Sequence, residues 1–303
     1  YQLKQLRLQM NMRKFIGKHM TNFLGYGPTE VDLDMSKAVI IPVPYDATTS
    51  YKAGARDGPA AILRSSVQLE DYDLELDGDA SSYGIYTTPS LPINVDGPKQ
   101  MIDLVENEVS KYINKDKIIG VLGGEHSISL GVVRALKKTY SDLTVLYLDA
   151  HADMRESYQG SHFSHGCTAR RIVEYAPITL AGVRSVSSEE KDFISQSSIP
   201  IFTWPHDFIS TTDWTNKILE TLKPDVYVSI DLDVLDPSIM SAVGNPEPGG
   251  MDWLELISLL RTISKTRNIV GFDIVELSPG EGPESCTYLA AKLVYKMISY
   301  VIL

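Results

Sequence analysis

The stretch Leu143–Asp153 reads L-T-V-L-Y-L-D-A-H-A-D and indicates where both the fold and the chemistry are centred. Thr144–Leu148 is a short apolar run of the kind that forms a buried parallel strand. Asp149, His151 and Asp153 follow at positions i, i+2 and i+4, so an extended chain points all three to one side. Carboxylates so close together repel each other strongly. The spacing therefore predicts a bound cation.

Composition and charge exclude several classes of protein. The chain has 303 residues, 43% of them hydrophobic and 22% charged, as expected of a folded chain with a sizeable core. A formal net charge of −11 argues against nucleic acid or an anionic membrane as a partner and favours a cationic substrate. No stretch reaches the roughly 18 to 20 uninterrupted apolar residues of a membrane span. Two cysteines are too few for a disulfide framework, so we expect a cytoplasmic protein.

Outside this stretch, strand-like and helix-like segments alternate. The predicted strands are Ala38–Val43, Lys117–Leu122, Thr144–Leu148, Ile178–Val183, Ile201–Trp204, Val226–Ile230 and Ile269–Val275. Residues 67–99 are typical of a surface loop with one short strand. This alternation predicts an α/β fold whose mostly parallel sheet is covered by helices on both faces. We expect one domain over residues 21–303 and treat residues 1–20 as a leader or an added segment.

Two further predicted strands end in metal-ligand residues. His126 follows Lys117–Leu122 across a glycine turn, and Asp231 and Asp233 follow Val226–Ile230. Because sites in open α/β sheets form beyond the carboxyl ends of the strands, we expect these groups to meet the first cluster there. Together the clusters offer four Asp and two His, enough for two divalent ions. This set fits manganese better than structural zinc, although cobalt, iron or zinc use the same ligands.

Each cluster alone has a simpler interpretation. His126 could cap the helix that follows it or lie in the core. The run Asp231–Pro237 could be a loop of turn residues, or the strand-end motif of haloacid-dehalogenase-type phosphotransferases with Asp231 as the nucleophile. That hypothesis expects the motif early in the chain and leaves the Asp149–Asp153 cluster unexplained. The combination favours a metal site, where two ions about 3.5–4 Å apart acidify a bridging water.

Several short motifs occur in one order along the chain. They are G-G-E-H-S (Gly123–Ser127), D-A-H-A-D (Asp149–Asp153), S-H-G (Ser164–Gly166), S-I-D-L-D-V-L-D-P (Ser229–Pro237), G-N-P-E-P-G-G (Gly244–Gly250) and D-I-V-E (Asp273–Glu276). This series resembles the ureohydrolases, the arginase–agmatinase family, and the likeness covers about residues 23–300. Several motifs in one order are far more specific than a single match. The resemblance implies an arginase-like three-layer α/β/α fold with about eight strands and a hydrolase with two Mn²⁺ ions.

The resemblance also assigns the metal ligands. It implies that one ion is held by His126, Asp149, Asp153 and Asp231. It implies that the other is held by Asp149, His151, Asp231 and Asp233. Asp149 and Asp231 would therefore bridge the two ions.

Three residues receive catalytic roles from the same resemblance. His165 matches the family's proton-shuttling histidine, and Glu276 matches the carboxylate that pairs with the substrate's guanidinium. Asp233 would accept the proton of the attacking hydroxide and pass it on. A guanidinium carbon is a poor electrophile, so the attack needs a hydroxide held in line and a carboxylate that orients the cation. The products are urea and an amine.

The loop Met154–Phe163 bears on the substrate. Its E-S-Y-x-G is similar to the agmatinase branch, and it lacks the D-I-N-T type stretch with which arginases handle an α-amino acid. The resemblance therefore implies hydrolysis of agmatine to putrescine and urea, with arginine, another guanidino acid or formimidoylglutamate as alternatives. After Glu276 the chain departs from the pattern Pro-x-Tyr-Asp that is common in agmatinases. The resemblance therefore does not predict the wall of the substrate entry.

Two other classes stay open at this point. A non-catalytic relative would keep the fold for binding or assembly, but every matched ligand position is present here. A deacetylase-like site with a single metal shares the fold but does not need this full set of Asp and His. The resemblance also suggests a homo-oligomer, a trimer or a hexamer.

Overall fold

The computed structural model describes residues 22–26, 31–113, 116–205 and 210–303. Within these ranges the chain forms eight strands: β1 (Ala38–Val43), β2 (Ile85–Thr87), β3 (Ile118–Gly123), β4 (Leu143–Leu148), β5 (Ile178–Val183), β6 (Ile201–Thr203), β7 (Asp225–Asp231) and β8 (Asn268–Val275). They make one sheet in the order β2-β1-β3-β8-β7-β4-β5-β6, and every neighbouring pair is parallel. The predicted sheet of about eight strands is confirmed, and β2 is the short strand expected within residues 67–99.

Helices cover both faces of this sheet. The described α-helices are α1 (Gly58–Ser66), α2 (Pro98–Ser110), α3 (Ser129–Lys137), α4 (Thr168–Ile172), α5 (Ser188–Gln196), α6 (Thr211–Thr221), α7 (Trp253–Thr266) and α8 (Glu284–Ile302). Apolar side chains of α1, α6, α7 and α8 pack on one face, and those of α2 to α5 pack on the other. This confirms the three-layer α/β/α fold. Within the described ranges, no helix has the length and apolar character that crossing a membrane requires.

Strand β4, in the interior of the sheet, shows why its sequence is almost entirely apolar. All six of its residues are buried. Leu146 and Leu148 belong to the core on one face of the sheet, and Val145 and Tyr147 belong to the core on the other. A parallel strand between two helical layers has no solvent-facing side, so a polar group there loses its water and needs a partner within the protein, as the Thr144 hydroxyl has in the N–H of Lys223 at 3.2 Å. The first charged residue, Asp149, therefore marks the end of the strand.

Two predicted boundaries concern the start of helix α2 and the start of the domain. The apolar spacing from Ile102 predicts a helix, but α2 begins one turn earlier, at Pro98. Gly97 before it has φ +123°, and Pro98 occupies a first-turn position, where the missing N–H costs nothing. The boundary predicted near residue 20 lies outside the described residues, and one domain over residues 21–303 stays a prediction.

Helix α8 carries a buried lysine that fixes the loop before β2. The Lys296 Nζ donates to both carboxylate oxygens of Asp73, at 2.7 and 3.0 Å, and also to Glu75. The side chains of Lys296 and Asp73 are only 7% and 3% exposed. Burial alone would raise the pKa of Asp73, but the hydrogen bonds and charge of Lys296 outweigh it and hold that pKa below its ordinary value.

We expect Lys296→Met to lower the free energy of unfolding by about 3–5 kcal/mol near neutral pH, because it leaves a buried carboxylate unpaired. Since the pKa of Asp73 is lowered by folding, its contribution is complete above the unfolded value of about 3.9 and is lost as the pH falls below that value. The difference between wild type and variant should therefore shrink in acid. Urea unfolding at several pH values measures it.

The exposed Lys265 provides a matched control. Lys265→Met should change the unfolding free energy by no more than about 0.5 kcal/mol. A loss of equal size in both variants, or one that is the same at every pH, would contradict the role given to the Lys296–Asp73 pair.

Candidate metal centre and active site

The carboxyl ends of four adjacent strands bring the predicted ligands together. Strands β3, β8, β7 and β4 are consecutive in the sheet. His126 lies in a 3₁₀ turn shortly after β3, and Asp149 directly follows β4. Asp231 is the last residue of β7, and Glu276 directly follows β8. All four side chains thus lie at one edge of the sheet, where the sequence predicts the site.

Two groups of ligand-type atoms share Asp149. In the first, the Nδ1 of His126 lies 3.0 Å from Asp149 Oδ2, 3.2 Å from Asp231 Oδ2 and 3.7 Å from Asp153 Oδ2. In the second, the Nδ1 of His151 lies 2.9 Å from Asp233 Oδ2 and 3.5 Å from Asp149 Oδ1. Ligand-type atoms of His126, Asp149 and Asp153, and of Asp149, His151 and Asp233, lie close enough to hold one ion each. The structure therefore brings all six residues together, with one oxygen of Asp149 facing each histidine.

The chemistry of this cluster fits bound divalent cations. The His126 Nδ1 and the Asp149 Oδ2 are buried and make no hydrogen bond to the described part of the chain. Buried polar atoms normally have a partner. Burial and the charge of Asp149 raise the pKa of Asp153 and of Asp233, and burial with the charge of Asp233 raises that of Asp231. Cations satisfy such atoms and offset the repulsion between the carboxylates.

Surrounding side chains fix the orientation of His126. Its Nε2 lies 2.8 Å from the hydroxyl of Ser229, which donates to Asp273 at 2.8 Å. Its ring stacks on Tyr147 with the ring centroids 4.2 Å apart, and the Tyr147 hydroxyl donates to Asp153 at 2.8 Å. These contacts hold Nδ1 toward the carboxylates. Outer partners of this kind orient metal ligands in proteins.

Two carboxylates of the site have unusual backbone conformations. Asp153 has φ +51° and Glu276 has φ +65°, in the left-handed region that non-glycine residues seldom occupy. Glu276 is held there by hydrogen bonds from its N–H to the carbonyl of Gly124 at 2.8 Å and from the His126 N–H to its Oε1 at 2.7 Å. Such residues cost of order 1–3 kcal/mol each and cluster at functional sites.

A cavity of about 230 Å³ opens over the cluster and is also lined by His165 and Glu276. The His165 Nδ1 lies 3.8 Å from the Glu276 Oε1. Burial lowers the pKa of His165 to about 4, so its imidazole is neutral near pH 7 and can accept a proton. Burial and the neighbouring Glu125 raise the pKa of Glu276, and a cation in the cavity would favour its ionised form.

Thr48 and Glu125 take part in the site, although neither is among the site residues predicted from the sequence. Glu125 is fully buried, and burial raises its pKa to about 7. The Thr48 N–H and hydroxyl each donate to its carboxylate at 2.6 Å, and the Thr48 hydroxyl also accepts from the His165 N–H at 2.9 Å. The sequence signals were the position of Glu125 within the G-G-E-H-S motif and of Thr48 in the polar run after Pro44-Tyr45-Asp46.

Fold and site together define a parallel α/β protein with a buried cluster of carboxylates and histidines suited to bind metal ions. The Arginase family model matches residues 36–299, and the chain belongs to the arginase family. This confirms the predicted family and enzyme class, a ureohydrolase with an agmatinase-like sequence, and the family implies a binuclear metal site. It removes the phosphotransferase interpretation of Asp231.

Individual relatives and structures agree with this assignment. The N(1)-aminopropylagmatine ureohydrolase of Synechocystis sp. is 37% identical over 270 residues, which are 86% of this chain and 88% of that protein. The agmatinase of Pyrococcus horikoshii is 38% identical over 273 residues, 88% of this chain and 93% of that protein. The crystal structure of the agmatine ureohydrolase of Thermoplasma volcanium has a TM-score of 0.85 and 30% identity, covering 96% of this chain and 97% of that one.

Proposed function

We propose that this protein hydrolyses agmatine to putrescine and urea, with two manganese ions as cofactors. The observation that carries the proposal is that Glu276 and His165 line the same cavity as the His and Asp cluster. A buried carboxylate beside a candidate metal centre suits a guanidinium substrate. The agmatinase of Pyrococcus horikoshii, at 38% identity, supports agmatine as that substrate.

The six clustered residues would hold the ions, and we propose that Asp149 and Asp231 would be ligands of both. When bound, two such ions would supply a water acidic enough to react near neutral pH. We propose that Asp233 accepts a proton from the attacking water. Its two oxygens lie 3.0 Å from the N–H of Ala150 and 2.9 Å from the Nδ1 of His151, which fix the carboxylate in place.

Glu276 and His165 would act on the substrate itself. The Glu276 carboxylate pairs with the guanidinium and orients its carbon toward the metal cluster. His165, neutral at the working pH, receives through water the proton that Asp233 passes on and donates it to the departing amine. The 3.8 Å between the two side chains keeps the proton donor next to the bound guanidinium.

Two observations favour guanidino compounds other than agmatine as the substrate. The Synechocystis relative is named for N(1)-aminopropylagmatine, which has the same guanidinium on a longer amine. In addition, Arg155 lines the cavity, lies over the ring of Tyr158 at 4.7 Å, and forms no ion pair with any described carboxylate. A guanidino acid could place its carboxylate there. Trimers or hexamers and a cytoplasmic location stay predictions from the sequence.

A substrate panel tests the proposal. Among the compounds tested, agmatine should give the highest kcat/KM for urea release by the manganese-loaded protein. For arginine and 4-guanidinobutyrate, kcat/KM should be lower by about 100-fold or more. The reason is that a carboxylate brought into a cavity rich in Asp and Glu costs several kcal/mol. Urea released per minute across a concentration series of each compound measures this.

The other outcomes are equally informative. A higher kcat/KM with N(1)-aminopropylagmatine would leave the proposed reaction unchanged and would replace agmatine as the assigned substrate. Preference for a guanidino acid would overturn the agmatine assignment and identify Arg155 as the counter-ion. Formimidoylglutamate belongs in the same panel, because its product would be formamide and not urea.

A further inference from the structure

Three segments distant in sequence meet at the side chain of Thr48. Its hydroxyl donates to Glu125 Oε1 at 2.6 Å, across 77 residues of sequence. The same hydroxyl accepts from the His165 N–H at 2.9 Å, across 117 residues. Glu125 Oε1 also accepts from Ser127 at 2.5 Å. A single hydroxyl thus links the loop after β1, the turn that carries His126 and the turn that carries His165.

The position of the His165 ring depends on its backbone. The ring makes no hydrogen bond to the described residues: its buried Nε2 has none, and its Nδ1 is 3.8 Å from Glu276. Tyr158, the aromatic neighbour, is tilted, with ring centroids 6.2 Å apart. His165 also begins a 3₁₀ turn, His165–Cys167, and the first N–H groups of a helical turn have no partner within it. The Thr48 hydroxyl supplies that partner.

The loop that carries Thr48 has anchors that do not use this hydroxyl. The Thr48 N–H donates to Glu125 Oε2 at 2.6 Å. Further along the loop, the buried Asp46 accepts from the N–H groups of Gly54 at 2.8 Å and Arg56 at 3.2 Å. Removing the hydroxyl alone should therefore leave the loop in place and release His165.

We propose that Thr48 is a positioning residue for this reaction: its hydroxyl fixes the backbone of His165 against Glu125 and so sets where the imidazole lies over the cavity. The inference rests on the proposed role of His165 in proton transfer. Thr48 touches neither the substrate nor the clustered ligands in this scheme. It acts through His165, so its loss should slow turnover while manganese binding and substrate affinity persist.

The chain offers a matched pair of variants. Thr48→Val keeps the shape and the backbone contact but removes the hydroxyl, whereas Thr48→Ser keeps it. We expect Thr48→Val to lower kcat by about 10- to 100-fold, because a displacement of about 1 Å at a reacting group costs that much. KM should change by less than about threefold, and the number of manganese ions bound should equal that of the wild type. Thr48→Ser should recover kcat to within about threefold of wild type.

A double-mutant cycle distinguishes an effect through His165 from a general one. In a His165→Ala background, Thr48→Val should cause no further loss of kcat, because the group that it positions is gone. Full additivity, loss of manganese, or a rise in KM without a fall in kcat would overturn the proposal.

A structural readout keeps this test separate from the proposed function. Crystal structures of wild type and Thr48→Val should show the His165 ring displaced and the Glu125 carboxylate in place. An unmoved His165 ring would overturn the positioning role. Failure of the wild type to release urea from any guanidino compound would instead overturn the proposed function, and the displacement of His165 would still decide the role of Thr48.

Discussion

Replacing Asp149 by alanine should reduce urea release by more than about 100-fold, since loss of even an outer-shell partner of a metal costs roughly 10–100-fold. Asp149 is the one residue common to both groups of ligand-type atoms, and its two oxygens face His126 at 3.0 Å and His151 at 3.5 Å. Its loss therefore affects both proposed ion sites at once. Elemental analysis after gel filtration should show fewer manganese ions per chain than in the wild type.

Manganese should also stabilise the wild type and not the variant. A ligand that binds only the folded state adds about 2.7 kcal/mol when present at about 100 times its Kd. Asp142, whose side chain is 70% exposed just before β4, gives the control, and Asp142→Ala should behave as wild type. If Asp149→Ala still bound two manganese ions with unchanged affinity, the cluster would not be the metal centre.

The strand ends could be predicted because their signals are local. A buried parallel strand is nearly all apolar and excludes unpaired charges, so the change from Leu148 to Asp149 marks its end without knowledge of the rest of the fold. For β7 the same reasoning predicts an end at Ile230, one residue before Asp231, which is the last residue of the strand in the structure. The spacing in Asp149–Asp153 also placed three ligand-type side chains in one volume, where the structure has them.

The remaining features depend on contacts across the sheet. Strand β8 is the last in the chain, yet it inserts between β3 and β7, which brings Glu276 to the N–H of His126 across 150 residues. The order of the strands in the sheet cannot be predicted from the pattern of apolar residues in the sequence. Thr48 has an ordinary loop sequence, and its role follows only from the position of Glu125 and His165 on either side of its hydroxyl. Likewise, the neighbours of Glu276 impose its positive φ, and no glycine at that position signals this conformation in the sequence.

Glu276→Gln should lower kcat/KM for agmatine by about 30- to 5,000-fold. Leaving one charge of a buried pair without its partner costs about 2–5 kcal/mol, and each 1.4 kcal/mol is tenfold. Glutamine keeps the oxygen that accepts from the His126 N–H at 2.7 Å, so the turn after β3 should be unchanged. Only the negative charge that would pair with the guanidinium is removed. Steady-state kinetics of urea release give the comparison.

The manganese content separates this effect from that of Asp149→Ala. Glu276 is not one of the proposed ligands, so its glutamine variant should bind the same number of ions as wild type, and Glu220→Gln at an exposed position should leave both activity and metal unchanged. A loss of metal would make Glu276 a structural support of the cluster, acting through His126. A normal kcat/KM would mean that the guanidinium is neutralised elsewhere in the cavity. Full metal content with weak hydrolysis is the result expected if Glu276 recognises the substrate.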